Sequence, residues 1–441
     1  MRSFKILTFG CQMNEHDSEK MSGVLIKNGL ELAGEAEDAD LIILNTCSIR
    51  EKAEQKFYSE AGKLRQLKKD NPALLIAVSG CIAQQEGKRI LRRAPFVDII
   101  LGNQNMDRLP ALLDEAAKRP VLTDFDEGYE HRPFPAARNG VVSSFVNIMY
   151  GCDNFCSYCV VPYVRGREKS RKPSDIVSEI MGLVAGGCRE VTLLGQNVNS
   201  YGAGLEGADS CDFPALLGML GDIDGLLRIR FVTSHPKDLS GSLVLAMSTL
   251  PKVCEGMHLP LQSASDSVLA AMNRKYTFGS YMEKLNALRE AVPDIALSTD
   301  IIVGFPGETE EDFERTVRAL EDIRYDGIFS FKYSKRPNTA ALRMKGHIPE
   351  EVKSARLERV IALQNRITLE KNLARVGRIE EVLVEGPDKS GDSGRLTGKS
   401  RGGKIVNFEG DIALVGKLVH VKITEGKKHS LMGEILASCQ C

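Results

Sequence analysis

The chain has 441 residues, 58 basic against 59 acidic side chains, 43% apolar residues and 11 cysteines. That length is too much for one core and predicts two or three domains, and the apolar share excludes disorder as the main state. A net charge of −1 excludes a general polycation, so any nucleic-acid contact has to come from local patches. No apolar run approaches the roughly 18 residues of a spanning helix. The apolar stretch at the N-terminus is too short for a signal peptide. A cytoplasmic protein with no membrane partner is expected. An odd number of cysteines leaves one unpaired in a closed disulfide framework, and in a large cytosolic chain cysteines point to metal binding or catalysis instead.

The first 120 residues repeat one pattern. Strands are predicted at 4–9, 40–44, 73–78 and 97–101, alternating with charged amphipathic helices at 14–28, 51–69, 83–93 and 109–118. Continuous apolar strands between amphipathic helices predict a doubly wound parallel sheet. Residues 121–140, with prolines, charges and no periodicity, read as a linker. A second α/β series fills 141–374, with strands at 145–149, 190–194, 228–232, 256–259, 296–303 and 327–333. Six strand–helix units suit a (βα)6 partial barrel. A long charged helix over 349–374 bridges to the last part, 375–441. There, strands at 380–385, 404–408, 417–424 and 433–436, separated by glycine-rich turns, read as a small all-β barrel.

The strongest local signal is Gly151-Cys152-Asp-Asn-Phe-Cys156-Ser-Tyr-Cys159, a C-x3-C-x2-C loop after the first barrel strand. Three thiolates this close, with no fourth ligand nearby, suit an Fe–S cluster with one open iron. A zinc loop with a distant fourth ligand and a set of unligated buried thiols are the alternatives. Three more cysteines occupy matching positions in the first domain. Cys11, Cys47 and Cys81 follow successive strands, each one βα unit apart. In a parallel sheet those ends lie along one ligand-binding edge, which favours a second three-Cys site over coincidence. Cys188, Cys211 and Cys254 are isolated, and Cys439 and Cys441 close the chain; these five read as bystanders. His16, His235 and His258 read as hydrogen-bonded structural residues.

These residues resemble the radical S-adenosylmethionine methylthiotransferases. The resemblance spans the chain and rests on Gly10-Cys-Gln-Met-Asn14, Asn45-Thr-Cys-Ser-Ile-Arg-Glu51, the Cys152 loop, Val160 to Glu168, Leu194-Gly-Gln-Asn-Val-Asn-Ser-Tyr201, Thr233-Ser-His-Pro236, His258 to Ser263 and Thr299 to Thr309, with a C-terminal segment like a TRAM domain. Departures are small: Ala264 stands where the family usually has Gly, and the Cys-Gln-Cys ending is outside the pattern. The resemblance implies two 4Fe-4S clusters, a radical one on Cys152, Cys156 and Cys159 and an auxiliary one on Cys11, Cys47 and Cys81, with S-adenosylmethionine as cofactor. It implies methylthiolation of C2 of adenosine 37 in the anticodon stem-loop of tRNA. One S-adenosylmethionine would give the methyl group and a second the 5′-deoxyadenosyl radical. An external one-electron donor and a sulfur source are implied as partners, and a monomer is expected. The set Asn45 to Arg50, Gln196 to Ser200 and Val161 to Gly166 sides with the branch acting on N6-dimethylallyladenosine. The same chemistry on N6-threonylcarbamoyladenosine 37 or on a ribosomal-protein aspartate is the alternative, and a zinc-containing, non-catalytic RNA-binding protein is a more distant one.

Around the radical site, Tyr158 is expected to pack on adenine, and Gln196 and Asn197 to bind the methionine end. Gln262, Ser298 and Asp300 are candidates for the ribose or the substrate base. Two basic stretches are candidates for RNA. Arg165, Arg167, Lys169, Arg171 and Lys172 directly follow the cluster loop, where phosphates could be held beside the radical. Lys389, Arg395, Lys399, Arg401 and Lys404 are predicted to lie on one loop of the tail barrel, a fold that commonly binds RNA by charge and shape.

Overall fold

The alternation of Leu41, Ile42, Ile43 and Leu44 sends side chains to both faces of a strand, and all four are fully buried. Leu41 and Ile43 join a core with Phe4, Met21 and Ile99, while Ile42 and Leu44 join a second with Phe57, Ile76 and Val78. A sheet buried on both faces is the result. The computed structural model describes residues 2–48, 51–125, 142–388 and 394–436, with the side chains of 51–54 excepted. In the first part β1 (Ser3–Thr8), β2 (Glu31–Leu32), β3 (Leu41–Thr46), β4 (Leu75–Gly80), β5 (Ile99–Leu101) and β6 (Val121–Leu122) form a parallel sheet of order β2-β1-β3-β4-β5-β6. The two-residue edges β2 and β6 were not predicted, and β6 falls within the stretch read as a linker. The predicted helix over 83–93 is two short ones, Cys81–Glu86 and Lys88–Arg93, interrupted at Gly87 with φ +47°. Strand order reverses between β1 and β3, and a crevice opens at such a switch point.

In the second part β7 (Ser143–Asn147) is followed by a short antiparallel pair, β8 (Met149–Tyr150) and β9 (Lys169–Ser170), that closes the base of the cysteine loop. The barrel continues with β10 (Glu190–Leu194), β11 (Arg228–Phe231), β12 (Gly256–His258), β13 (Ala296–Val303) and β14 (Gly327–Lys332). These strands make two parallel three-stranded sheets, β11-β10-β7 and β12-β13-β14. A single bridge between Ile229 and Val253 links them. The arrangement is the predicted partial barrel, with a seam between its halves. Helix Glu350–Leu373 packs on β14 and leads to β15 (Ile379–Pro387), β16 (Arg395–Ser400), β17 (Ile405–Glu409), β18 (Leu418–Gly426) and β19 (Leu431–Ile435), which close into the predicted small barrel.

This small barrel docks at the N-terminal ends of the central strands, opposite the cysteine loop. Fully buried Arg228 donates to Lys399 O (2.6 Å) and Glu381 Oε1 (2.8 Å). Arg401 bonds the Glu255 carboxylate with two nitrogens (both 2.7 Å), and Lys404 Nζ lies 3.1 Å from Asp326 Oδ1. Replacing Arg228 removes its bonds to the Lys399 carbonyl and the part-exposed Glu381 carboxylate, so Arg228→Met should lower stability by about 2 kcal/mol. Urea unfolding of the full chain measures this; an unmoved midpoint would show that the docking contact carries no stability.

Candidate active site

Each cysteine of the first set starts the loop or helix after its strand. Cys11 precedes helix Gln12–Lys27 after β1, Cys47 follows β3, and Cys81 opens helix Cys81–Glu86 after β4. The β1 and β3 loops are tied together because Asn14 Nδ2 donates to Asn45 Oδ1 (3.1 Å) and Thr46 O (3.0 Å). Asn45 Nδ2 returns a bond to Asn14 O (2.7 Å). Glycine is required at position 10, since a Cβ there would stand 2.6 Å from the Cys47 Cβ. A Cβ on Gly80 would collide with the Thr46 carbonyl. The loops therefore approach more closely than any side chain on these two residues would allow.

The thiols differ in acidity. Cys11 is brought down to about 6 by a hydrogen bond from Cys47, assisted by the Arg165 cation and opposed by burial. Burial pushes Cys81 up. In metal-free protein, iodoacetamide should alkylate Cys11 with a midpoint near pH 6, rising with pH as the thiolate forms. Peptide mass spectrometry measures the profile, and a midpoint near an ordinary thiol's would contradict this arrangement.

The second cysteine loop is clamped from the segment after helix Asp266–Ala271. Ser157 N donates to Met272 O (2.9 Å) and its Oγ to Ala271 O (2.8 Å), while Asn273 Nδ2 holds Phe155 O (2.9 Å). Asn154 Nδ2 reaches Cys152 Sγ (3.3 Å), and Arg274 Nη1 reaches Cys156 Sγ (3.5 Å). Burial pushes Cys152 up and takes Cys159 to about 12, where the neighbouring Cys156 adds to the effect. Thiols so buried become anions readily only beside a cation. Among the described residues no three His, Cys, Asp or Glu side chains are arranged to hold one metal ion; the ligands of a cubane each bind a different iron.

The two loops meet. Cys81 packs against Val160 and Val164, directly after Cys159. Asn103 Nδ2 bonds Val164 O at 2.8 Å and lies 3.7 Å from Cys81 Sγ. Arg165 and Asp17 form an ion pair across the same boundary (2.8 Å), their side chains 2% and 0% exposed. A cavity of about 430 Å³ runs from Ser48, next to Cys47, to Cys159, with Tyr158, Gln262 and Asp300 in its lining.

Of the predicted cofactor contacts, Gln196 follows β10 with both amide atoms buried and without a partner. Asn197 Oδ1 and Gln262 Oε1 are likewise unpaired. Orphaned buried amides need partners, and a ligand with amino, carboxylate and ribose groups fits them. Asn197 Nδ2 is taken by Asp238 (2.7 Å). Ser298 Oγ and Asp300 Oδ1 flank His258, at 3.0 Å from Nδ1 and 3.4 Å from Nε2. His235 is buried, which takes its pKa down to about 2, and its Nδ1 accepts from the Lys237 amide (3.2 Å).

The basic stretches divide. Arg165 is buried with Asp17, and buried Arg171 pairs with Glu179 (2.7 Å); both guanidiniums are turned inward, out of reach of a backbone phosphate at the surface. Arg167, Lys169 and Lys172 are exposed. Arg395 to Ser400 is strand β16 and not a loop. Arg395 lies 3.8 Å from Asp388, and Lys399 bonds Glu385 (2.7 Å). Arg401 and Lys404 are spent on docking the barrel. Lys389, Cys439 and Cys441 lie outside the described residues. Buried Cys188 donates to Glu190 O, buried Cys254 sits beside Arg230, and Cys211 is half-exposed, none of them near the two sets. Sequence reasoning missed Asp17, Asn103 and Arg274.

Three family descriptions match this chain: "Uncharacterized protein family UPF0004" over residues 3–102, "Radical SAM superfamily" over 146–320 and "TRAM domain" over 373–436. The chain is 50% identical over 437 residues to the tRNA-2-methylthio-N(6)-dimethylallyladenosine synthase of Thermodesulfovibrio yellowstonii, covering 99% of both chains. It is 51% identical over 434 residues to the protein of that name from Geobacter metallireducens, covering 98% of this chain and 97% of the relative. Its fold is similar to that of the radical S-adenosylmethionine methyltransferase TsrM from Kitasatospora setae, solved with tryptophan and aza-SAM bound. That match has a TM-score of 0.57 and 15% identity, and covers 78% of this chain and 75% of the other.

Proposed function

The chain belongs to the family of tRNA-2-methylthio-N(6)-dimethylallyladenosine synthases, and we propose that it methylthiolates C2 of N6-dimethylallyladenosine 37 in the tRNA anticodon stem-loop. Membership in the radical S-adenosylmethionine superfamily brings a 4Fe-4S cluster and S-adenosylmethionine, and the RNA substrate accords with the TRAM domain. The observation that carries the reading is the meeting of the two cysteine loops across one boundary, where Asn103 reaches both Cys81 Sγ and the carbonyl of Val164, five residues after Cys159.

Cys152, Cys156 and Cys159 would hold the first cluster, which when bound would supply the electron for reductive cleavage of the S-adenosylmethionine sulfonium. Cys11, Cys47 and Cys81 would hold a second, which would supply the sulfur. The remaining work belongs to the chain. Gln196 and Asn197 would receive the methionine end, Tyr158 would pack on the adenine, and Gln262, Ser298 and Asp300 would orient ribose or base. The apolar contact of Cys81 with Val160 and Val164 excludes water between the two sites. Exposed Arg167, Lys169 and Lys172, with Lys399 and Arg395 on the barrel, hold backbone phosphates. Arg165 stands beside the second set as a buried cation, a role different from the phosphate contact expected of it. The protein works as a cytoplasmic monomer, drawing on an external one-electron donor and a sulfur source; no described helix is long and apolar enough to cross a membrane.

The test is anaerobic incubation of reconstituted, reduced protein with S-adenosylmethionine and each of two tRNAs, one carrying N6-dimethylallyladenosine and one N6-threonylcarbamoyladenosine. Mass spectrometry should find the methylthio nucleoside from the first only. Product from the second alone would move the substrate, and one or two zincs per chain with no iron would remove the activity.

A further inference from the structure

Arg274 is 8% exposed and follows helix Asp266–Ala271, with its side chain reaching back to the segment after β12. Its donors go to Cys156 Sγ (3.5 Å), Pro260 O (3.0 Å) and Tyr276 OH (3.0 Å), and its guanidinium lies 5.0 Å from the Tyr276 ring centre. None of these partners carries a full negative charge, although a buried cation ordinarily requires one. The acceptors other than Cys156 are fixed by the fold. Tyr276 OH also reaches the carbonyls of Pro260 and Leu261 (3.0 and 2.8 Å), so phenol and guanidinium are anchored on the same stretch of backbone. The remaining nitrogen of the guanidinium points to the Cys156 sulfur.

We propose that Arg274 is the counter-ion of the radical cluster, and that its N–H to Cys156 and its charge together raise the cluster's reduction potential. Arg274 is a positioning residue: it touches a ligand sulfur and neither substrate nor cofactor. Three thiolates around a 4Fe-4S core leave a net charge of about −1, which becomes about −2 on reduction. A fixed positive charge in a water-poor site favours the more negative state, and hydrogen bonds to the ligand sulfurs act in the same direction. The electron then enters the cluster at a potential that a donor can reach. Among the described residues no guanidinium bonds Cys152, whose sulfur receives a neutral amide from Asn154 instead. The effect is therefore delivered at one ligand.

The inference rests on the radical-cluster reading, and the two fail differently. If the wild-type chain takes up no iron on reconstitution, that reading is wrong; if iron binds and the potential ignores Arg274, only the inference is wrong. The experiment is an EPR-monitored redox titration of the reconstituted full chain without tRNA, comparing wild type with Arg274→Lys, Arg274→Gln and Arg274→Met. The radical cluster is identified by the change in its signal when S-adenosylmethionine is added. Arg274→Gln and Arg274→Met should each lower its reduced-to-oxidised ratio at a fixed potential about tenfold, a shift of about 59 mV for one electron. Arg274→Lys, which keeps the charge, should stay near wild type, and the second cluster should not move. Equal potentials in all four proteins would overturn the proposal. So would loss of iron from Arg274→Lys, or a shift common to both clusters, since each would mark the residue as a scaffold element only.

Discussion

Cys159→Ala should reduce S-adenosylmethionine cleavage to background while iron falls by about half, from about eight to about four per chain. Cys159 lines the end of the cavity, and on the proposed function its loss takes one of the three sulfurs that would hold the radical cluster. The effect is local, because Ser157 and Asn273 clamp the loop through backbone and side-chain bonds that do not involve Cys159. The measurement is 5′-deoxyadenosine formed under dithionite, with iron analysis of the same sample. Full cleavage activity in the variant would remove the C-x3-C-x2-C loop from the mechanism.

Cys47→Ala should have the opposite signature: cleavage of S-adenosylmethionine persists and methylthio product disappears. Cys47 is fully buried at the C-terminal end of β3. It sits against Gly10 on one side and begins the wall of the shared cavity, through Ser48, on the other. Removing its thiol takes one of three sulfurs from the second set and the hydrogen bond that makes Cys11 acidic. The first set is untouched, since its clamp comes from residues 271–274. Retained methylthio nucleoside would refute a role for the second set; loss of both reactions together would show that the two sites cannot be separated by a single thiol.

How much of this was legible before the structure depended on what a residue needed in order to be seen. Buried strands such as β3 and β4 declare themselves through unbroken apolar runs, whereas β2 and β6, with two residues each, carry no periodicity. Strand β16 was read as a loop because Gly398 and Ser400 take its inward positions. The glycine is required there, since a Cβ would meet the Leu383 carbonyl of β15. The six cysteines were visible because sulfur is rare and their spacing follows the βα repeat. Asp17, Asn103 and Arg274 have no such spacing and are assembled only when distant segments converge. The reverse failure befell Arg165 and Arg171. A basic run indicates charge but not direction, and in Arg165 to Lys172 two of the five basic side chains turn inward to Asp17 and Glu179.

The most direct test of the account uses tRNA whose N6-dimethylallyladenosine 37 carries deuterium at C2. With reconstituted, reduced protein and S-adenosylmethionine, deuterium should appear in 5′-deoxyadenosine, and the methylthio nucleoside should form without it. Deuterium-free 5′-deoxyadenosine alongside methylthio product would contradict the claim that the radical formed beside Cys159 acts on C2 in the cavity shared with the Cys47 loop.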